Sequence, residues 1–526
     1  MRNHEKPPEY DEVYRLVSTF GRYQKVVVFS VGFLASLIAF QFSILVFGFG
    51  TPNFSCTTPA NVTCEINKCC DNCTGYAFAG PFKSVVSEWN LICDRSYLRA
   101  LVQSMFFAGM LVGSFVSGPV SDIYGRKCCS FVFTATLILG AAVSVVVDCV
   151  SFLCFLRFVV GVGCSGIFTG TFTLVLEFVG PNRRTMIGCV YQYYWAFGFM
   201  SFVLTAYFIR DWRPMVLLTS LPALSLFLFI KVFPESPRWL MAQGRVDEAH
   251  AILMKFKDED NKSVDSERLK ELLVRVWEGE RNAENREPIK KFYFLDLVRT
   301  PKIRKRSLIM AYTWFSQSFL SNAFFLYVDN LVGNIYLNFA IMQGLNPVLI
   351  GVQWMLAKNV GRRVTHAGTF LVCGALCLLS LSVPEDQPLG RTGIFVTATV
   401  VCSVLWVTAP LMGTELFPTV LRATALGTGY TIGRIGATLS PYVGMLAQLP
   451  GSSVILPLTI FGVVSMVAGI LTLLLPETLR QPMHQTIEEE EAADEDYGIP
   501  CMRRPLSRET VGVDKVIENK DLTTAL

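Results

Sequence analysis

The chain of 526 residues is 52% hydrophobic and only 17% charged, with a mean hydropathy of +0.43, more apolar sequence than a water-soluble surface can hide. A net charge of +4 is too small to attract nucleic acid, and no metal-ligand cluster or paired nucleophile and base gives enzyme chemistry a place to start. A soluble domain is excluded, and a bilayer is left as the solvent.

Residues 1–25 are polar and charged, without an apolar core and small-residue cleavage site, so no cleavable signal peptide is expected and the first span serves as its own insertion signal. Apolar blocks of about twenty residues, each long enough for a hydrocarbon core roughly 30 Å thick, then fall at 26–50, 100–120, 128–147, 150–175, 186–209 and 214–233. A charged stretch separates these from a second six at 307–328, 335–356, 367–383, 393–412, 423–449 and 454–475. The expected fold class is therefore an all-α polytopic membrane protein of twelve transmembrane helices. Its units are an N-terminal segment 1–25, a bundle 26–233 with an outer loop 51–98, a central loop 234–306, a bundle 307–475 and an acidic tail 476–526.

With both termini cytoplasmic, the inner short loops hold Arg126, Lys127, Arg183, Arg184, Lys358, Arg362, Arg363 and Arg422 against Arg210, Arg213 and Arg391 outside, the asymmetry of the positive-inside rule. The first outer loop carries Cys56, Cys64, Cys69, Cys70, Cys73 and Cys93. An even set in an oxidising compartment reads as up to three disulfides, with fifteen pairings open. The same loop holds glycosylation sequons at Asn53, Asn61 and Asn72.

The two halves repeat. Gly125, Arg126 and Lys127 recur as Gly361, Arg362 and Arg363, Glu177 to Arg184 (EFVGPNRR) recurs as Glu415 to Arg422 (ELFPTVLR), and Glu235 recurs as Glu477, at offsets of 236, 238 and 242 residues. Three markers in one order point to duplicated six-helix bundles around a central cavity.

The run GPVSDIYGRK at 118–127 resembles the signature of the major facilitator superfamily between its second and third helices. The resemblance implies a conformational role for Gly118, Asp122, Gly125, Arg126, Lys127, Glu177, Arg184, Glu415 and Arg422: glycines for close helix approach, and charge pairs that break as the halves rock. Ile123 stands where that family usually has a base. The loop ending EWNLICD at 88–94, with RDWR at 210–213, PESPRWL at 234–240 and IYLNF at 335–339, is similar to the solute carrier 22 group of organic cation, carnitine and organic anion transporters. Sugar porters share PESPRWL, but they usually carry a glutamine-rich seventh span, where this chain offers Gln317, and lack a long Cys-rich outer loop.

Substrate charge is best read from ionisable residues inside the membrane, where they are costly. Arg434 lies near mid-span with Tyr430, Thr431 and Thr438 on its face. In the family this position resembles a charge selector, with Arg in anion and carnitine transporters. A guanidinium fork suits a carboxylate, on an organic anion or a carnitine-like zwitterion. Asn346 aligns with a glutamate that many relatives carry. Tyr191, Tyr193, Tyr194, Trp195, Trp314 and Phe319 offer faces for a quaternary ammonium or serve as packing. Gln103, Gln192, Gln317 and Gln353 either line the cavity or bond neighbouring helices. Arg157, followed by Gly161, Gly163 and Gly166, resembles a packing motif of the fourth span and is read as structural.

No acid lies mid-span, so a proton relay lacks parts. Uniport or exchange is expected with no cofactor, and Na⁺ coupling stays open because carbonyls and hydroxyls bind that ion. The tail 488–496 reads as acidic and solvated, and Thr524, Ala525 and Leu526 form a C-terminus of the kind that PDZ scaffolds capture. The sum is a plasma-membrane carrier of small organic ions working by alternating access. The alternatives are a polyspecific organic cation carrier and a receptor-like relative that has lost transport.

Overall fold

A computed structural model of the chain describes residues 10–500 apart from 59–65, 68, 70–72, 229, 231–232, 257–264, 287–293, 385–386, 447–454, 480, 482–483, 494–496 and 499–500. Asn61, Asn72, Cys64, Cys70 and the 524–526 motif lie outside the described residues, as does the Gln353 side chain.

The first six membrane helices are α1 (Arg22–Phe47), α2 (Ser96–Tyr124), α3 (Arg126–Ser144), α4 (Val150–Glu177), α5 (Pro181–Phe208) and α6 (Trp212–Ser220). The second six are α7 (Pro301–Leu326), α8 (Ile335–Gly344 with Asn346–Asn359), α9 (Arg362–Leu379), α10 (Pro388–Cys402 with Leu405–Glu415), α11 (Thr419–Met445) and α12 (Ile455–Leu473). Among the described residues, seven helices are long and apolar enough to cross a membrane on those grounds alone. The others that fall on expected spans are broken or carry the polar residues discussed below.

Three expected spans are not continuous. Pro222 converts the end of α6 into a 3-10 turn, Leu221–Leu224, before Ser225–Leu228 resumes. In α8 the break at Leu345 precedes Pro347, whose missing N–H and bulky ring disrupt the preceding turn. α10 breaks between Cys402 and Leu405.

Within the N-terminal half, α2 lies directly on α4 because Gly161 has no side chain: a Cβ there would collide with the Phe106 carbonyl. In the C-terminal half α7 lies on α11 in the same way, at Gly433 and Gly436. Gly118, read as a close-approach glycine, has nothing within 4 Å of where its Cβ would be. That expectation is corrected: the packing glycines of α2 lie earlier on it, at Gly109 and Gly113.

The loop between α1 and α2 forms a two-stranded antiparallel sheet, β1 (Phe54–Thr58) and β2 (Gly75–Phe78), held by disulfides Cys56–Cys73 and Cys69–Cys93. This end of the bundle is called the loop side below. The exposed Asn53 lies beside β1. At the opposite end, Tyr10–Arg15, Pro237–Ala242, Val246–Leu253 and Ser266–Arg286 cover the N-terminal half. Trp239 Nε1 donates to the Asp122 carbonyl at 2.7 Å and Tyr14 to that of Glu177 at 2.9 Å.

The tail is not simply solvated as its charge suggests. It forms a helix, Ile487–Ala492, whose Glu490 is buried against Arg306 of α7. A carboxylate that leaves water needs such a guanidinium partner, because an unpaired buried charge is costly.

Candidate functional site

The gating residues form two copies of one charge knot. Gly125 ends α2 at φ +98°, a backbone that an L side chain rarely adopts, and Gly361 ends α8 at φ +120°. Beyond each glycine an arginine opens the next helix. Arg126 grips Glu177 bidentately, at 3.1 Å for both contacts, and meets Asp122 at 3.2 Å. Glu235 accepts the Arg126 and Lys127 N–H groups at 2.9 and 3.1 Å, a carboxylate at a helix N-terminus. Burial pushes this carboxyl above the ordinary range, against the pull of those N–H donors.

In the second copy Arg362 pairs with Glu415 at 3.2 Å, and Glu477 accepts the Arg362 N–H at 2.9 Å. Lys358 occupies the place of Asp122, so the second knot lacks that acid. Each of these pairs stays within one half. The expectation of bonds that break as halves rock is therefore corrected for this conformation, in which the knots brace helices inside a half. Arg184 pairs with Asp11 of the N-terminal segment at 2.8 Å, and Arg422 lies 3.5 Å from the Thr419 hydroxyl.

On the loop side the halves are zipped by aromatic rings and an ion pair. Phe47 stacks on Tyr336 at 5.4 Å, Phe199 meets Phe325 at 5.5 Å and Phe42 meets Phe325 at 6.5 Å. Arg99 at the start of α2 binds Asp329, just beyond α7, at 2.5 Å, and donates to Thr51 Oγ1 at 2.7 Å. Both charged side chains are buried. The sequence signal for this clasp was a basic first turn of one span and an acid just after another, on the same side of the membrane.

Toward the opposite side, residues on the same helix stripes become exposed. On α11, Thr438 accepts a hydrogen bond from Ser104 of α2 at 2.7 Å through its carbonyl, and Arg434 Nη1 lies 3.8 Å from Met110 Sδ. Further along the same stripe, Tyr430 and Gly427 are exposed. α5 behaves alike: Phe199 touches the other half, while Gln192, seven residues back on that stripe, is exposed. Arg434 thus lies at the contact of α11 with α2, while Gln192 and Trp195 precede the cross-half contact of Phe199 on α5.

Arg434 stands fifteen residues after Thr419 and eleven before Met445, at mid-helix. It is half-buried, and among the described residues no carboxylate pairs with it. Tyr430 packs on Trp314 at 4.6 Å, while the Thr431 and Thr438 hydroxyls bond back to their own helix at 2.9 and 2.8 Å. Trp195 meets Phe42 and Phe199 at 5.5 and 6.0 Å.

Other expected pocket residues point elsewhere. Tyr191 is buried between α4 and α5, its hydroxyl 3.0 Å from Thr171. Tyr194 turns to α1, where a side chain at Gly32 would collide with its ring. Gln317 is wholly buried with neither amide atom bonded among the described residues. Asn346 donates to Gln343 at 3.0 Å beside the break in α8. Gln103 is buried and donates to the Leu45 carbonyl at 2.9 Å, so it bonds a neighbouring helix. Arg157 is fully buried in α4, 4.5 Å from the Phe49 ring centroid.

Residues 24–489 match the family model described as sugar (and other) transporter. The chain is 31% identical to the organic cation transporter protein of Drosophila melanogaster, over 95% of this chain and 96% of that one. It is also 31% identical to solute carrier family 22 member 6-B of Xenopus laevis, over 78% and 74%. The inward open conformation of the xylose transporter XylE from E. coli shares the fold, with a TM-score of 0.64 at 16% identity over 89% of this chain and 99% of that one. A twin-bundle helical membrane protein with duplicated charge knots, matched along nearly its whole length, belongs to the major facilitator superfamily of transporters and, within it, to solute carrier family 22.

Proposed function

We propose that the chain is a plasma-membrane carrier of small organic ions that works by alternating access, and that it favours solutes bearing a carboxylate, as carnitine-like zwitterions or organic anions. The observation that carries this is Arg434, a mid-span guanidinium at the seam between the halves with no carboxylate partner among the described residues. A cation in that position costs several kcal/mol, and a substrate carboxylate offsets that cost by supplying charge-assisted bonds. In this proposal both termini and the Arg126 and Arg362 knots face the cytoplasm, and the disulfide-bonded loop with Asn53 as glycosylation acceptor faces outward.

A second reading has its own support. Trp195 packs on Phe42 and Phe199, both of which meet Phe325 of the other half, and such aromatic faces hold quaternary ammonium groups. Two relatives from Drosophila melanogaster are named for organic cations. A zwitterion uses both features, the carboxylate at Arg434 and the ammonium against the rings. Transport then runs as uniport or exchange along substrate gradients.

Radiolabelled uptake into proteoliposomes, comparing a carnitine-like zwitterion, a dicarboxylate and a quaternary cation, tests the reading. Saturable uptake favouring the carboxylate-bearing solutes is expected. Saturable uptake of the cation alone overturns the carboxylate preference, and absence of any flux favours a receptor-like relative.

A further inference from the structure

The helix Ile487–Ala492 lies under the C-terminal half and ties several of its elements together. Glu490 pairs with Arg306 of α7 and lies 3.1 Å from His484 Nδ1. Arg306 also donates to the Leu416 carbonyl, just past the end of α10, at 3.0 Å. Glu491 accepts the Lys302 and Ile303 N–H groups at 3.0 and 3.3 Å, capping the first turn of α7. The Thr419 N–H that opens α11 donates to the His484 carbonyl at 3.1 Å. The tail is thus a strap across the base of α7 and α11, the pair that carries Trp314 and Arg434.

Tyr497 follows this helix, and its side chain is 44% exposed. Its carbonyl accepts from Arg363 Nη2 at 2.7 Å, and its hydroxyl takes a hydrogen bond from Lys305 Nζ at 3.2 Å. The Lys305 ammonium and Arg363 guanidinium stand 5.5 and 6.0 Å from the ring centroid. In sequence the residue is preceded by Glu488, Glu489, Glu490, Glu491, Asp494, Glu495 and Asp496. An accessible phenol, carried by an acidic segment and already touching a lysine, has the charge that a basic substrate groove selects and a cation waiting where a phosphate would stand.

We propose that Tyr497 is a phosphorylation site and that Lys305 receives the phosphate. A protein tyrosine kinase with ATP forms the Oη–P bond as the bond from the γ-phosphorus to ADP breaks, and the kinase base takes the phenolic proton. The product adds about −1.5 to −2 charge and three strong acceptors. The bond from the Lys305 ammonium to a neutral hydroxyl becomes an ion pair with a phosphate oxygen, shorter and stronger, while Arg363 keeps the backbone from swinging away. Phosphorylation therefore tightens the strap onto α7 and α9. In a cell this rests on the cytoplasmic placement of the tail proposed above. In detergent both ends of the carrier are reachable, so a test there does not depend on orientation or on transport.

The full-length protein in detergent micelles, incubated with ATP and purified protein tyrosine kinases, should take up phosphate at Tyr497 by mass spectrometry, and the Tyr497→Phe variant should not. Hydrogen exchange of the Ile487–Ala492 amides should then slow about tenfold, and the slowing should vanish in Lys305→Gln, an exposed substitution that leaves the core untouched. No phosphate at Tyr497 overturns the proposal. So does a phosphate that leaves strap exchange unchanged, or a slowing that survives in Lys305→Gln.

Discussion

Arg157 and Arg434 both sit inside membrane helices away from the helix ends, and their surroundings differ in kind. Arg157 is sealed inside the N-terminal half, against Phe49, with none of its guanidinium nitrogens hydrogen-bonded among the described residues. Arg434 is half-buried at the seam between the halves, where α11 meets Met110 of α2. A cation locked in one rigid half keeps the same neighbours throughout a cycle. A cation at the seam changes neighbours whenever the halves rock, so position relative to the seam, more than depth, fits a residue to meet substrate.

Five substitutions sharpen or break that contrast. The largest effect is expected beside Arg157. Gly161→Val places side-chain atoms into the Phe106 carbonyl, and forcing α2 from α4 should cost more than about 4 kcal/mol. Loss of the folded carrier on size exclusion is the expected outcome, and a monodisperse, active variant would show that this half is not the rigid frame described. Next comes the knot. Arg126→Ala leaves Glu177 and Asp122 without their cation, at a cost near 3 kcal/mol, the lower end for a broken buried pair because the site is partly exposed. A marked fall in melting temperature is expected, and a smaller one for Arg362→Ala, whose knot lacks a counterpart of Asp122.

Arg157→Met tests the contrast itself. Total uptake can fall through altered packing, but the ratio of carboxylate to cation uptake should stay within about twofold of the parent, since a residue outside the seam makes no differential contact with substrate charge. A ratio inverted by this variant would erase the distinction between the two arginines. The smallest effect lies on the loop side. Glu88 is partly buried, which opposes ionisation, yet hydrogen bonds from Arg213 and Trp212 hold its carboxyl below the ordinary range. A depressed carboxyl stabilises the fold above the unfolded value and loses that contribution as pH falls through the folded one. Glu88→Gln should therefore lower stability at pH 7 by about 1 kcal/mol and flatten its decline in acid, as followed by melting temperature between pH 7 and pH 3.

Much of this architecture was legible because it is written twice. The glycine, arginine and glutamate markers recur at nearly constant offsets, and Glu235 and Glu477 cap α3 and α9 in the same manner. Arg434 was legible from cost alone, as a charge in an apolar block. Other features depend on contacts that no local pattern carries. The Arg99 to Asp329 clasp joins residues 230 positions apart, and the strap rests on Glu490 meeting Arg306, 184 positions apart. Neighbouring aromatics on α5 could not be sorted by type, because Tyr191 points to α4, Tyr194 to α1, and Trp195 to Phe42 and Phe199, according to helical phase.

The central claim is that the Arg434 guanidinium receives a substrate carboxylate. Uptake of a carnitine-like zwitterion and of a quaternary cation should be measured in proteoliposomes with the parent, Arg434→Lys and Arg434→Asp carriers, at matched folded protein. Reversal to aspartate should cut zwitterion uptake by about 10- to 100-fold, the worth of one charge-assisted bond, with cation uptake kept or raised and lysine intermediate. A well-folded Arg434→Asp carrier with the parent's ratio of the two solutes would contradict the account.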